Sequence, residues 1–289
     1  MTPFDPRPCR LGEGPLWHPL RQDLFWFDIL SSRLLVRSPA TGQSRDIALP
    51  EMFSAAGWVD ERRLFAASET GLWLLDVETG ALGRVAGLEA DRPATRANDG
   101  RADPWGGFWI GTMGKEAEPG AGALYRWYRG QLRQVVQGLS IPNATCFAPD
   151  RSCAYFADTA RGALMRLALD GDGWPRARPE LLVDFAALGL NPDGAVTRAD
   201  GVLMVALWGA GAVIEVRPDG RIGPRHALPA PQTTCPAYGG AAFDTLFCTS
   251  ASEGMSAAER AAAPLSGATF ALEGMAPGLP EPAVDHPAA

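Results

Sequence analysis

The sequence predicts an all-β chain: a six-bladed β-propeller with four-stranded antiparallel blades. Three observations predict it. One apolar phrase recurs six times, the stretches between its copies break into short β-runs joined by turn residues, and helical periodicity is nearly absent. The phrase reads Leu24-Phe25-Trp26-Phe27-Asp28, then Leu64-Phe65-Ala66-Ala67-Ser68, then Phe108-Trp109-Ile110-Gly111-Thr112. It returns as Ala154-Tyr155-Phe156-Ala157-Asp158, Leu203-Met204-Val205-Ala206-Leu207 and Leu246-Phe247-Cys248-Thr249-Ser250. Successive copies end about 40, 44, 46, 49 and 43 residues apart, the period of propeller blades.

The elements follow in order. Unit one closes on the turn Ser38-Pro39-Ala40-Thr41-Gly42. Unit two runs Gly57-Trp58-Val59, turn Asp60-Glu61-Arg62-Arg63, the phrase, then Gly71-Leu72-Trp73-Leu74-Leu75-Asp76 and the turn Val77-Glu78-Thr79-Gly80. Unit five repeats that turn as Arg217-Pro218-Asp219-Gly220. Short β-runs with such turns between them are hairpins, and units of this length with internal hairpins favour blades over a sandwich or a β-helix. Met255–Ala263 is the one helical stretch, with Ser256 as its cap. A propeller must close its ring, so residues near Cys9–Leu11 are expected to pair with the last blade around Ala268–Leu272. The whole chain, 1–289, then forms a single propeller domain, with a loosely ordered tail over 275–289, rich in Pro, Ala and acids.

Composition bounds the function. With 46% apolar residues, 20% charged, 9 Trp and 12 Phe, the chain can bury a core and is not disordered. A net charge of −7 argues against nucleic acid as a partner. No apolar run approaches the ~18–20 residues of a membrane helix. Residues Met1–Arg7 lack the apolar core of a signal peptide, which predicts a cytoplasmic protein. Lys115 is the only lysine among 26 basic residues, which reads as coding bias and excludes mechanisms built on several lysines. The five cysteines, Cys9, Cys146, Cys153, Cys235 and Cys248, form no Cys-x-x-Cys pair, so neither a zinc ribbon nor a redox dithiol is supported. Cys146, Cys153 and Cys248 lie in apolar runs and read as small buried hydrophobes.

The chemistry lies at one phase of the repeat. About 14 residues before each phrase ends, the chain starts the innermost strand of its blade. These starts read Glu13-Gly14-Pro15, Ser54-Ala55-Ala56-Gly57, Asn98-Asp99-Gly100, Pro142-Asn143-Ala144, Asp193-Gly194-Ala195 and Tyr238-Gly239-Gly240. Each alone is an ordinary turn. Together, in a propeller, they place Glu13, Asn98, Asn143 and Asp193 around the axis. Crowded carboxylates repel one another and resist burial. A divalent cation relieves both, and an all-oxygen set suits Ca, Mg, Mn, Fe(II) or Zn.

At these residues the sequence resembles the gluconolactonase/regucalcin (senescence-marker protein) family of six-bladed propellers. The resemblance is carried by Leu11-Gly12-Glu13-Gly14-Pro15-Leu16-Trp17-His18, Arg96-Ala97-Asn98-Asp99-Gly100 and Phe108-Trp109-Ile110-Gly111-Thr112-Met113. It continues through Gly122-Ala123-Leu124-Tyr125, Pro192-Asp193-Gly194, Gly254-Met255-Ser256 and Pro264-Leu265-Ser266-Gly267, in order along nearly the whole chain. It implies hydrolysis of a sugar lactone to its aldonic acid, with one divalent metal ion held by Glu13, Asn143 and Asp193. It implies substrate contacts from Arg96, Asn98 and Glu118. One departure stands out: the family's Ser/Thr-Asn-Gly is here Pro142-Asn143-Ala144, which puts the backbone at the second ligand in question. Lys115, in the loop after Gly111-Thr112-Met113, reads either as a pocket residue or as an exposed loop lysine.

The implied chemistry is coherent. A lactone needs a polarised carbonyl and an activated water, which one metal with open positions supplies. Asp193 is the expected proton acceptor, and Arg96, Asn98 and Glu118 the groups that position sugar hydroxyls. Rival readings remain: an organophosphate or ester hydrolase on the same scaffold, a non-enzymatic calcium-binding regulatory propeller, or a pure interaction platform. A serine hydrolase is disfavoured, because Gly-x-Ser-x-Gly is absent and only His18, His226 and His286 exist. His18 reads as structural rather than as a base. The expected partner is a small sugar lactone and the expected state a monomer.

Overall fold

The computed structural model describes residues 2–286 and has the predicted architecture, six sheets set around one axis. Five sheets have four antiparallel strands in simple sequence order. Blade 1 is Gly12–His18, Asp23–Asp28, Arg33–Arg37 and Ser44–Ala48. The inner strands of blades 2 to 6 are Phe53–Trp58, Thr95–Ala102, Pro142–Phe147, Asn191–Thr197 and Thr233–Gly239. Each inner strand touches the next, and that of blade 6 touches that of blade 1, so the ring is closed.

The recurring phrase is the second strand of every blade. In blades 1, 4 and 6, Asp23–Asp28, Cys153–Asp158 and Thr245–Ser250 are buried almost throughout. A second strand has sheet neighbours on both edges and adjacent blades on both faces. It therefore reads as a continuous apolar run instead of an alternating one. Outer strands such as Ser44–Ala48 are exposed and polar. The cores lie between blades: Phe27 packs against Phe53, and Phe65 against Phe108 and Trp127.

Closure differs in detail from expectation. Blade 6 has three named strands, and the N-terminal segment completes its outer edge. Asp5, rather than Cys9–Leu11, pairs with Thr269, with both backbone bonds at 3.0 Å. Cys9 N–H donates to Gly267 O at 3.0 Å, while Leu11 bridges to Ala251. The helix is Ala257–Ala262, capped by Ser256 in a capping box with Glu259. All five cysteines are buried free thiols, and burial pushes Cys9 and Cys146 up to about 12.

The loose tail is corrected by the structure. Through residue 286 it is a strap bound across the channel end opposite the inner-strand starts. Its Pro277 O accepts from Ala199 N–H at 3.0 Å, Glu281 O from Trp58 Nε1 at 2.8 Å, and Val284 N–H donates to Trp58 O at 2.8 Å. Val284 is buried in the blade 2–3 core, and His286 stacks on Trp127. The bonds join residues far apart in the chain, so local composition could not reveal them. Residues 287–289 of the expected tail lie outside the described residues. Among the described residues no helix is long and apolar enough to cross a membrane.

Candidate active site

Every inner strand carries a register break against its second strand. The breaks fall at Glu13/Leu16, Phe53/Ala55, Asn143/Cys146, Pro192/Ala195 and Thr233/Pro236, and in blade 3 around Asn98-Asp99. A bulge leaves residues unpaired and re-aims their side chains. Six bulges at one phase turn this level of the propeller into a ring of inward-facing groups. The blade 6 member is Thr234, not the Tyr238 expected from spacing; the inner strand begins five residues before Tyr238.

The two local backbones at the first two candidate ligands match. Gly14 has φ 54, and an added Cβ would lie 2.3 Å from Ser54 O. Ala144 follows Asn143 with φ 56 and is fully buried. The missing glycine therefore does not alter the left-handed geometry; Ala144 adopts it at a cost of about 1–2 kcal/mol. Ala144→Gly should raise stability by up to about 1 kcal/mol, after the glycine's greater unfolded-state freedom is offset. A thermal melting point at or below that of the parent chain would contradict this account of the strain.

The ring encloses a cavity of about 500 Å³ lined by Glu13, Arg96, Asn98, Asn143 and Asp193, with Leu11, Met113, Ile141 and Trp208 as apolar wall. Glu13, Asn143 and Asp193 are only 6%, 3% and 4% exposed. Asn98 Nδ2 donates to Asn143 Oδ1 and to Pro142 O, both at 3.0 Å. Arg96 donates to Asn98 Oδ1 at 2.7 Å. Asn143 Nδ2 donates to Thr159 Oγ1 at 2.9 Å, and that hydroxyl donates to Pro192 O at 2.6 Å. Those bonds fix the Asn143 amide with its Oδ1 toward Asn98. Ser54 donates to Asn98 O, and Thr234 to Gly12 O. The two blades without an acid or amide at this phase thus supply hydroxyls that close blade-to-blade joints.

Burial and crowding set the electrostatics. Burial, reinforced by the Asp99 charge, pushes Glu13 up to about 8. Asp193 is raised well above the carboxylate range by burial and by Glu13. Asp99, one layer beneath, is also raised by burial while accepting from Thr145 N–H at 2.7 Å. Arg96 is lowered by its own burial. Two buried carboxylates that resist ionisation, together with amide oxygens, fit a hard or borderline divalent ion, which would let both ionise.

The structure brings Glu13, Arg96, Asn98, Asn143 and Asp193 together, and leaves Glu118 apart. Glu118 is exposed and folds back to accept from Glu116 N–H at 3.1 Å. It is Glu116 that lines the cavity, beside Lys115, because the turn reverses at Ala117 with φ 57. Lys115 is exposed at the rim of the cavity, where it pairs with Glu69 of blade 2. His18 lies at the opposite end, donating from Nε2 to Asp60 O at 2.9 Å and lowered by burial. Sequence reading missed Glu116, Thr159, Trp208 and Glu253, all of which line the cavity. A signal existed: each follows the end of a copy of the recurring phrase by one to four residues, the other edge of the same channel mouth. A larger cleft of about 610 Å³ on the outer flank of blades 4 and 5 has mixed charges and no converging oxygen set.

A propeller with buried oxygen donors at one mouth of its channel defines a class of small-molecule site built from several blades. The chain belongs to the SMP-30/Gluconolactonase/LRE-like family, whose characteristic region it matches over residues 11–252. A Rhizobium meliloti protein provisionally named sugar lactone lactonase is 42% identical, over 98% of both chains. The 6-deoxy-6-sulfogluconolactonase of Pseudomonas putida is 38% identical, over 96% of this chain and 95% of its own. The crystal structure of a calcium-binding regucalcin from Agrobacterium tumefaciens superposes with a TM-score of 0.96 at 39% identity, covering 98% and 97% of the two chains.

Proposed function

We propose that this chain hydrolyses a sugar lactone to its aldonic acid, with one divalent metal ion held by Glu13, Asn143 and Asp193. The observation that carries the reading is the convergence of those three donors from three blades on one cavity beside Arg96 and Asn98. The lactonases among its relatives support the chemistry, and the calcium-binding relative supports a divalent ion.

The ion would supply Lewis-acid polarisation of the lactone carbonyl and a lowered pKa for the attacking water. The chain's own residues do the rest. Asp193 takes the water's proton and returns it to the ring oxygen as the ester bond breaks. Glu13 and Asn143 hold the donor geometry, Asn143 being fixed by Asn98 and Thr159. Arg96 and Asn98, already hydrogen-bonded to each other, present a rigid polar edge to the sugar hydroxyls, and Glu116 offers acceptors at the rim. Trp208 offers an apolar face to the C–H side of a pyranose or furanose ring.

The test is a panel followed by proton release and corrected for spontaneous opening: pentono- and hexonolactones, simple aryl esters and phosphotriesters. The expected result is a kcat/KM for at least one aldonolactone well above every non-sugar ester. Buried polar groups left unpaired by an apolar substrate make that difference large. Preference for a phosphotriester or an aryl ester would overturn the lactone reading in favour of a general ester hydrolase.

A further inference from the structure

The Arg101 side chain is not used by the mechanism above, yet it is the most highly connected group in the channel. It is buried and leaves blade 3 three residues beyond Asn98. Nε donates to Thr145 O of blade 4 at 3.1 Å. One terminal nitrogen donates to Ala195 O of blade 5 at 3.2 Å and to Pro236 O of blade 6 at 3.3 Å. The other terminal nitrogen pairs with the buried carboxylate of Glu281, from the C-terminal strap. Thr145 lies two residues beyond Asn143, Ala195 two beyond Asp193, and Pro236 two beyond Thr234. Two residues of strand span roughly 6–7 Å, so the guanidinium spans the channel one layer beneath the ring of donors.

The arrangement has the form of a crossbar. A planar fork with five fixed donors holds three carbonyls at set spacing, which an ammonium does not reproduce. A buried cation would be unfavourable without a counter-charge, and the strap supplies it. Glu281 is in turn anchored by its own carbonyl to Trp58 of blade 2. Packing of the strap against blades 2, 3, 5 and 6 thus holds Arg101 in place, and Arg101 holds the spacing of blades 4, 5 and 6.

We propose that Arg101, held by Glu281 of the C-terminal strap, is a positioning residue that fixes the distance between the Asn143 and Asp193 donors. The proposal rests on the metal reading above. It assigns the strap a role in ion affinity at a site on the opposite face of the propeller.

Positioning and simple electrostatics predict different outcomes. Replacing Arg101 by Lys, or the Arg101–Glu281 pair by apolar groups, leaves the net charge near the ion site unchanged, so through space the loss of the Arg101 fork should alter ion binding little. Through positioning its removal should weaken it. The experiment is calorimetric titration of the metal-stripped full chain with Ca, Mg, Mn, Zn and Fe(II) singly, for the parent, for Arg101→Lys and for the double variant Arg101→Met/Glu281→Leu, alongside thermal melting. Arg101→Lys keeps the charge and loses the fork; the double variant replaces the buried pair with apolar groups, a change that often keeps or raises stability. We expect both to bind the ion at least tenfold more weakly, with melting of the double variant near or above that of the parent. Ion affinity equal to or tighter than the parent in whichever variant folds would overturn the positioning role. If the parent chain binds none of these ions, the metal reading itself falls and this one with it. Parent binding with unchanged variants would overturn the crossbar alone.

Discussion

Asp193→Asn is expected to lower lactone kcat by about 10²–10⁴, the range for loss of a general base, with the fold intact. The side chain is isosteric and sits at a bulge whose backbone pairing involves Pro192 and Ala195 rather than Asp193 itself. Two effects act together. The proton acceptor is lost, and one of two carboxylates at the proposed ion site becomes an amide. Raising the ion to saturation separates them, since it restores occupancy without restoring the base. In the metal-free state the same change should not destabilise the chain, because it removes a group whose charge is opposed by burial and by Glu13. Turnover within a few-fold of the parent at saturating ion would remove Asp193 from the role of base.

The second large effect is on stability against pH in the metal-free chain. Glu13 is raised from 4.5 to about 8, and Asp193 is raised in the same direction. A carboxyl whose folded pKa lies above its unfolded value binds more protons when folded. Its contribution is therefore fully present below the unfolded value and is lost as pH rises through the folded one. Metal-free protein should become less stable from about pH 4.5 to about pH 8, by an amount on the order of a few kcal/mol. A bound divalent ion replaces those protons, so ion affinity should rise across the same window and the melting point at pH 8 should recover. Melting of metal-stripped protein across pH, with and without added ion, checks both. A metal-free melting point that rises from pH 5 to pH 8 would show that the two carboxyls are not held in a crowded, desolvated site.

The sequence made the propeller legible through its second strands, because these are buried on both faces and repeat as near-continuous apolar runs. Glu13, Asn98, Asn143 and Asp193 were legible for a related reason. They occupy one phase of the repeat, and the bulge that aims them inward recurs in every blade. What escaped is what the repeat does not govern. Glu118 came from the resemblance alone, and the course of the turn after Gly114, which brings Glu116 to the cavity, depends on left-handed residues at Ala117 and Gly120. The blade 6 start was read at Tyr238-Gly239-Gly240 because Thr233-Thr234-Cys235-Pro236 carries neither the acid or amide nor the glycine found at the other starts. The strap escaped because its bonds to Trp58, Gly106 and Ala199 link residues far apart in sequence. Its Pro- and Ala-rich composition matches that of an unbound tail.

The central claim is that three oxygen donors from three blades form one ion site at which a lactone is opened. The most direct test is stoichiometric. Metal-stripped protein is titrated with Ca, Mg, Mn, Zn and Fe(II) singly while turnover of the preferred aldonolactone is followed. The account predicts negligible turnover without ion, recovery that saturates at one equivalent of at least one of them, and no recovery in a Glu13→Gln/Asp193→Asn chain. Full lactonase activity in the stripped protein, or recovery undiminished in that double variant, would contradict it.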